Sequence, residues 1–145
     1  MIVTNAAFFL AAPDCHQFLP HDLCLPDTPE PLGSIHWDLL ALNHSGCRAL
    51  LSQRIACSCS TLLLPGDTAA AITQLVRAHQ VIGAGLSVRN SITFSSLQQE
   101  NALVCIQRTL LRINGSTLEP QEILLPVLPL PAEEQLLLLG IQLLL

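Results

Sequence analysis

A strand, a tight turn, a helix and a second strand follow one another within residues 55–86, and no other stretch restricts the fold as much. Ile55 to Leu64 (IACSCSTLLL) reads as a buried strand, closed by Pro65-Gly66. Asp67 is placed to cap a helix over Thr68 to Ala78, in which Ala71, Ile72, Leu75 and Val76 recur on one face. Val81 to Leu86 (VIGAGL) is a second short apolar strand. Two strands joined through a helix run parallel, and the crossover is expected to be right-handed. Parallel pairs need cover on both faces, so the expected class is α/β.

The flanking segments extend that unit. Residues 2–12 (IVTNAAFFLAA) form an apolar element that suits a strand or a short capped helix. Residues 13–34 contain Pro13, Pro20, Pro26, Pro29 and Pro31, which rule out a long regular element and leave a proline-rich loop. Ile35 to Leu42 reads as a strand, Asn43 to Gly46 as a turn, and Cys47 to Arg54 as a short helix. Downstream, residues 91–125 read as an antiparallel ribbon. Ser91 to Leu97 alternates, Ala102 to Ile113 is a longer strand, and Asn114-Gly115 turns the chain into Ser116 to Leu125. The expected fold is a small sheet with one parallel βαβ unit, that ribbon, and an apolar C-terminal helix, with residues 1–131 as a single domain.

Residues 132–145 stand apart. Pro131 suits a first helical turn, Glu133 and Glu134 favour its positive end, and Gln135 to Leu145 (QLLLLGIQLLL) is apolar nearly all round. Such an element is buried in its own domain or in a neighbour, and a neighbour is the preferred cover, with a poorly ordered tail as the other outcome. The composition points the same way. Half of the residues are apolar, 12% are charged, and Leu supplies roughly a fifth of the chain. Grease on that scale suggests a homo-oligomer or a protein partner.

Composition also excludes functions. The chain has no Lys, which removes a Walker A clamp and Schiff-base chemistry. A net charge of −5 and an aromatic content of 3% argue against nucleic acid. No apolar run reaches the roughly 18 residues of a spanning helix. The first residues lack the basic start of a secretory signal, and six cysteines in a chain that can build a core suit a reducing compartment, so a cytoplasmic location is expected.

Four constellations could carry chemistry. Cys15, His16, His21 and Cys24 are zinc-type ligands in the proline-rich loop, although their spacing matches no familiar knuckle. His36 and Asp38 would share one face of a strand, and His44 could return toward them as acid, base or ligand. Cys57 and Cys59 form a C-x-C whose two thiols share a face, which suits small residues in a packed sheet better than a redox pair. Finally, Thr68, Ser87, Arg89 and Asn90 could gather at the carboxyl ends of the parallel strands, where α/β folds place ligands, and bind an anion or nucleotide. Gly83-Ala84-Gly85 lacks the following helix of a dinucleotide loop, so its glycines are expected to allow a bend or a close backbone approach. No cofactor is indicated.

The stretch LLLPGDTAAAITQLVRAHQVIGAGLSVRNSITFSSL, Leu62 to Leu97, resembles the end of the central domain of Mur-type peptide ligases. There a strand ends in an acidic turn, a helix follows, and a V-x-x-G-L strand leads into another strand. This chain lacks the phosphate-binding loop and the lysines on which those ligases depend, so the resemblance implies a ligand-binding relative and not a ligase. Three functions therefore stand as expectations: a non-catalytic domain acting through self-association or a partner, a small anion- or nucleotide-binding enzyme or sensor, and a zinc module.

Overall fold

The computed structural model describes residues 5–9 and 23–145. Seven strands lie in one sheet in the order of the chain: β1 (Ala6–Phe9), β2 (His36–Leu42), β3 (Cys57–Pro65), β4 (Val76–Ala84), β5 (Ile92–Leu97), β6 (Asn101–Ile106) and, at the far edge, β9 (Gln121–Pro126). β1 to β5 pair in parallel, while β6 runs antiparallel to both β5 and β9. A two-stranded hairpin, β7 (Leu110–Leu111) and β8 (Thr117–Leu118), projects between β6 and β9. The class is α/β with a mostly parallel sheet and a C-terminal helix, as the sequence implies. The sheet is larger than the small one expected, because β1 and β2 join the βαβ pair on one side and the ribbon joins it on the other.

Helix α1 (His44–Gln53) begins earlier than the sequence suggests. The Asn43 side chain accepts a 2.7 Å hydrogen bond from the Gly46 amide, which turns the expected NHSG turn into the first turn of the helix. It ends on Arg54 in the left-handed region (φ 55°). The helix expected over Thr68 to Ala78 shrinks to a 3₁₀ turn (Gly66–Thr68) and one α-turn, α2 (Ala69–Ile72). Tertiary pairing overrides local propensity here. β4 begins at Val76, opposite Cys57, and keeps one offset to β3 as far as Ala84 opposite Pro65.

The two faces of the sheet are sealed differently. On one face, Trp37, Leu40, Leu42, Cys57, Cys59, Leu62, Leu64 and Val76 pack against Cys47 and Leu50 of α1 and Ile72 of α2. Leu32, from a 3₁₀ turn at Glu30–Gly33 within the proline-rich loop, joins them, and its carbonyl accepts the Trp37 indole N–H at 2.9 Å. On the other face, Phe8, Leu39, Ala41, Leu63, Ile82, Ala84, Ile92, Val104 and Ile106 meet α3 (Ala132–Leu144). Leu136 to Leu139, Ile141 and Leu144 of α3 are each at most 3% exposed, so the helix is covered by its own sheet and not by a neighbour. Gly140 brings α3 close: a Cβ there would sit 3.0 Å from a Leu63 methyl.

Strict period-two alternation fails at one level of the sheet. Trp37 and Leu39 belong to opposite faces, as do Cys59 and Leu63, and Ala78 and Ile82. The regular pairing skips Asp38 opposite Ser60, and Ser60 opposite His79, then resumes with the same offset. The carbonyl of Asn5 accepts from both Asp38 N (2.7 Å) and Leu39 N (3.3 Å), the signature of a β-bulge. Three neighbouring strands thus shift phase together. The α3 face consequently divides into a polar amino half (His36, Asp38, Ser58, Ser60, Arg77, His79) and an apolar carboxyl half under α3.

The ribbon is split. β6 ends at Ile106, and Asn114-Gly115 turns the β7–β8 hairpin, with Arg112 N donating to Ser116 O at 2.8 Å. Gly115 takes the positive φ (90°) that the turn requires. Pro126 lies at the end of the edge strand β9, where no partner needs its missing N–H.

Candidate functional site

A cleft of about 440 Å³ opens where β3 and β4 end. Its walls are Pro65, Gly66 and Asp67 after β3, Ala84 to Ser87, Arg89 and Asn90 after β4, and Glu133 from the first turn of α3. Parallel sheets leave this end open because each strand must rise into a connection before returning.

The packing around Asn90 explains the glycines. A Cβ on Gly66 would fall 1.8 Å from Asn90 Oδ1, one on Gly83 3.0 Å from it, and one on Gly85 2.8 Å from Asn90 Nδ2. The glycines let two strand ends close on one amide side chain, the close approach that the sequence suggests for Gly83-Ala84-Gly85. Asn90 in turn donates from Nδ2 to Ser87 O at 3.0 Å, and Gln107 Nε2 holds the same loop through Val88 O and Asn90 O. The loop is therefore braced from inside and outside. Arg89 and Ser87 stand exposed on its rim, with the Ser87 hydroxyl accepting from Arg89 N at 3.3 Å.

Of the four residues expected to gather here, Ser87, Arg89 and Asn90 do so, and Thr68 does not line the cleft. Its hydroxyl donates to Pro65 O at 2.7 Å and meets Cys47 Sγ at 3.4 Å, closing the 3₁₀ turn instead. Asp67 and Glu133 are the charged wall residues outside that expected set. Asp67 does not cap a helix. It bonds His44 Nε2 at 3.0 Å, while Glu133 lies 3.3 Å from His44 Nδ1. Each ring nitrogen of His44 faces a carboxylate, Nε2 that of Asp67 and Nδ1 that of Glu133. His44 is thus a bridge between the turn after β3 and the start of α3. Behind it, burial pushes the Glu134 carboxyl above its ordinary range, against a bond from Asn43 Nδ2 (3.3 Å) and the nearby His44. Glu134 Oε2 is buried without a partner among the described residues.

The remaining expectations separate. His36 and Asp38 do share a face, but His44 lies beyond the opposite end of β2, so the three form no cluster. His36 bonds Ser58 Oγ through Nδ1 (3.0 Å) and Ser60 Oγ through Nε2 (3.1 Å). Cys57 and Cys59 are buried on one face. Burial pushes their thiols up to about 11 and about 12, which keeps them protonated and unreactive at neutral pH. Cys15, His16 and His21 lie outside the described residues. Cys24 lies at the outer edge of β1, where its backbone bonds Phe8 N and Ala6 O. Among the described residues no three His, Cys, Asp or Glu side chains gather as a metal site, and no helix is long and apolar enough to cross a membrane.

In comparisons with protein-family models, with curated proteins and with solved structures, nothing matches this chain.

Proposed function

We propose that this chain is a ligand-binding α/β domain whose site is the cleft at the carboxyl ends of β3 and β4. The observation that carries the proposal is the Asn90 anchorage. Three glycine positions give up side chains so that one loop can be fixed with Arg89 and Ser87 at the rim of a cavity. The walls offer both charges, the guanidinium of Arg89 and the carboxylates of Asp67 and Glu133. A nucleotide matches that pairing, with phosphate toward Arg89 and ribose hydroxyls toward a carboxylate. The likeness of residues 62–97 to the central domain of Mur-type ligases implies a ligand-binding role as well. Nucleoside monophosphates titrated into labelled protein are expected to shift the amides of residues 66–67 and 84–90. The Arg89→Gln variant is expected to weaken that binding at least about tenfold. No shifts in those segments with any of the nucleotides would sink the proposal.

A second reading, self-association, is favoured by the edge strand β9. Its outer side has no partner among the described residues, and Leu124 beside Leu103 is 64% exposed. An antiparallel edge can pair with its own copy about a two-fold axis. The contact would run through β9 and not, as the sequence suggests, through the C-terminal helix. Light scattering of Leu124→Lys against the parent chain tests it: a dimer that becomes a monomer supports the pairing, and a parent monomer at high concentration excludes it.

A further inference from the structure

The bulge shared by β2, β3 and β4 turns two cross-strand rows onto the polar half of the α3 face. His36, Ser58 and Arg77 make one row, and Asp38, Ser60 and His79 make the next. Of the described elements, the β7–β8 hairpin borders the second row through Leu111 to Ile113 and Gly115. Two hollows adjoin there: one of about 270 Å³ beside His36, Ser58, Arg77 and His79, and one of about 550 Å³ beside Asp38, Ser60, His79 and Arg112. His79 borders both.

Arg112 reaches this place through a specific device. Gln80 Oε1 accepts from Leu111 N (2.8 Å), and Gln80 Nε2 donates to Leu111 O (3.0 Å) and Thr61 Oγ1 (3.1 Å). A side-chain amide thus imitates a β-bridge and clamps the β7–β8 hairpin over the sheet. The next residue, Arg112, lines the larger hollow with its Nε buried and unpartnered among the described residues. Its guanidinium places a fixed positive charge in the wall of that hollow, the planar donor group that suits the oxygens of an anion.

The charge distribution agrees. The chain carries a net charge of −5 and only six cationic side chains. Two of them, Arg77 and Arg112, and two histidines, His36 and His79, border these hollows, against the single carboxylate of Asp38. Asp38 already accepts from Asn5 N through Oδ2 at 2.8 Å, and its carboxylate suits a ligand that also brings hydroxyl donors.

We infer that this half-face binds a small hydroxylated phosphate ester. The phosphate is taken by Arg112 with His79 and Ser60, and the hydroxyls by Asp38. The site is separate from the carboxyl-end cleft and stands whether or not that cleft binds a nucleotide.

The test uses the full chain, ribose 5-phosphate, ribose and inorganic phosphate, with calorimetry and amide shift mapping. Ribose 5-phosphate is expected to bind with a Kd of about 1 mM or tighter and to shift residues 36–38, 58–61, 77–80 and 111–113. Arg112→Gln is expected to weaken it about tenfold or more. Should that variant fail to fold, His79→Asn on the exposed surface takes its place. Asp38→Asn is expected to reduce the preference for ribose 5-phosphate over inorganic phosphate. Equal affinity for inorganic phosphate and ribose 5-phosphate would overturn the hydroxyl part. Shifts confined to residues 66–90 outside 77–80, or no binding at all, would overturn the whole assignment.

Discussion

The two cores on either side of the sheet are built by opposite means. Under α1 and α2, every large contact comes from a compact stretch of chain: Leu32, Trp37, Leu40, Leu50, Leu62 and Ile72 follow one another within the first half. Under α3, the strands supply one wall and the last helix supplies the other, so Phe8 and Leu39 share a core with Leu137 and Leu144. Local connections close the first core as they form. The second stays open until residues far along the chain arrive. The difference shows which contacts are expendable: a lost side chain in the local core leaves its neighbours bridged by short loops. By contrast, α3 is joined only to the edge strand β9, through residues 127–131, and is held to β2, β3 and β4 by packing.

Leu138→Asp would test that contrast most severely. Leu138 is 1% exposed, and a carboxylate there would lie against sheet side chains with no partner. The variant is expected to lose at least about 4 kcal/mol, enough to abolish the cooperative denaturation transition. A two-state urea curve near that of the parent would break the comparison. On the other side, Leu62→Ala should cost about 2–5 kcal/mol while keeping a cooperative transition, as read from the denaturation midpoint. Gly66→Ala is the third probe. Its methyl would collide with Asn90 Oδ1, so a loss of about 1–3 kcal/mol is expected, and Asn90→Ala added to it should restore most of that loss. An additive double variant would deny the coupling.

The smallest expected effect is a pH dependence at the start of α3. The folded-state pKa of Glu134 is raised by burial, so between its ordinary value and the raised one the folded protein binds more protons than the unfolded chain. Stability from this group is therefore fully present at low pH and lost as pH rises through that window. Glu134→Gln should flatten this slope and leave the protein more stable at neutral pH, measured as Tm across a pH series. An unchanged slope would show that Glu134 is solvated on opening of the helix end.

Legibility followed range. The strands β2 to β5 could be read because runs such as LLAL and STLLLP are bounded by turn residues. Pairing in parallel between β3 and β4 followed from their spacing. The helix over Thr68 to Ala78 misled because Ala69-Ala70-Ala71 favours helix locally, while Val76 to Ala78 is claimed by Cys57 to Cys59 across the sheet. Neither the cover of α3 nor the joining of β1, β2 and the ribbon with the βαβ pair in one sheet could be found that way, since both depend on contacts across most of the chain. For the candidate site, Ser87, Arg89 and Asn90 were placed by a topological rule about strand ends. Asp67 and Glu133 stood outside that set because the first looked like a cap and the second belongs to a distant helix. The shared bulge left only a faint trace, polar pairs such as Ser60-Thr61 and His79-Gln80 where strict alternation would give one polar and one apolar residue.

The position of α3 has a consequence for synthesis. Roughly 90 residues separate the end of β2 from the start of this helix, a delay on the order of 5–20 s at ribosomal speed. As they are made during that interval, Leu39, Leu63, Ile82 and Ile92 have no α3 over them. Slow codons before Ala132 are expected to lower the soluble yield more than slow codons after it.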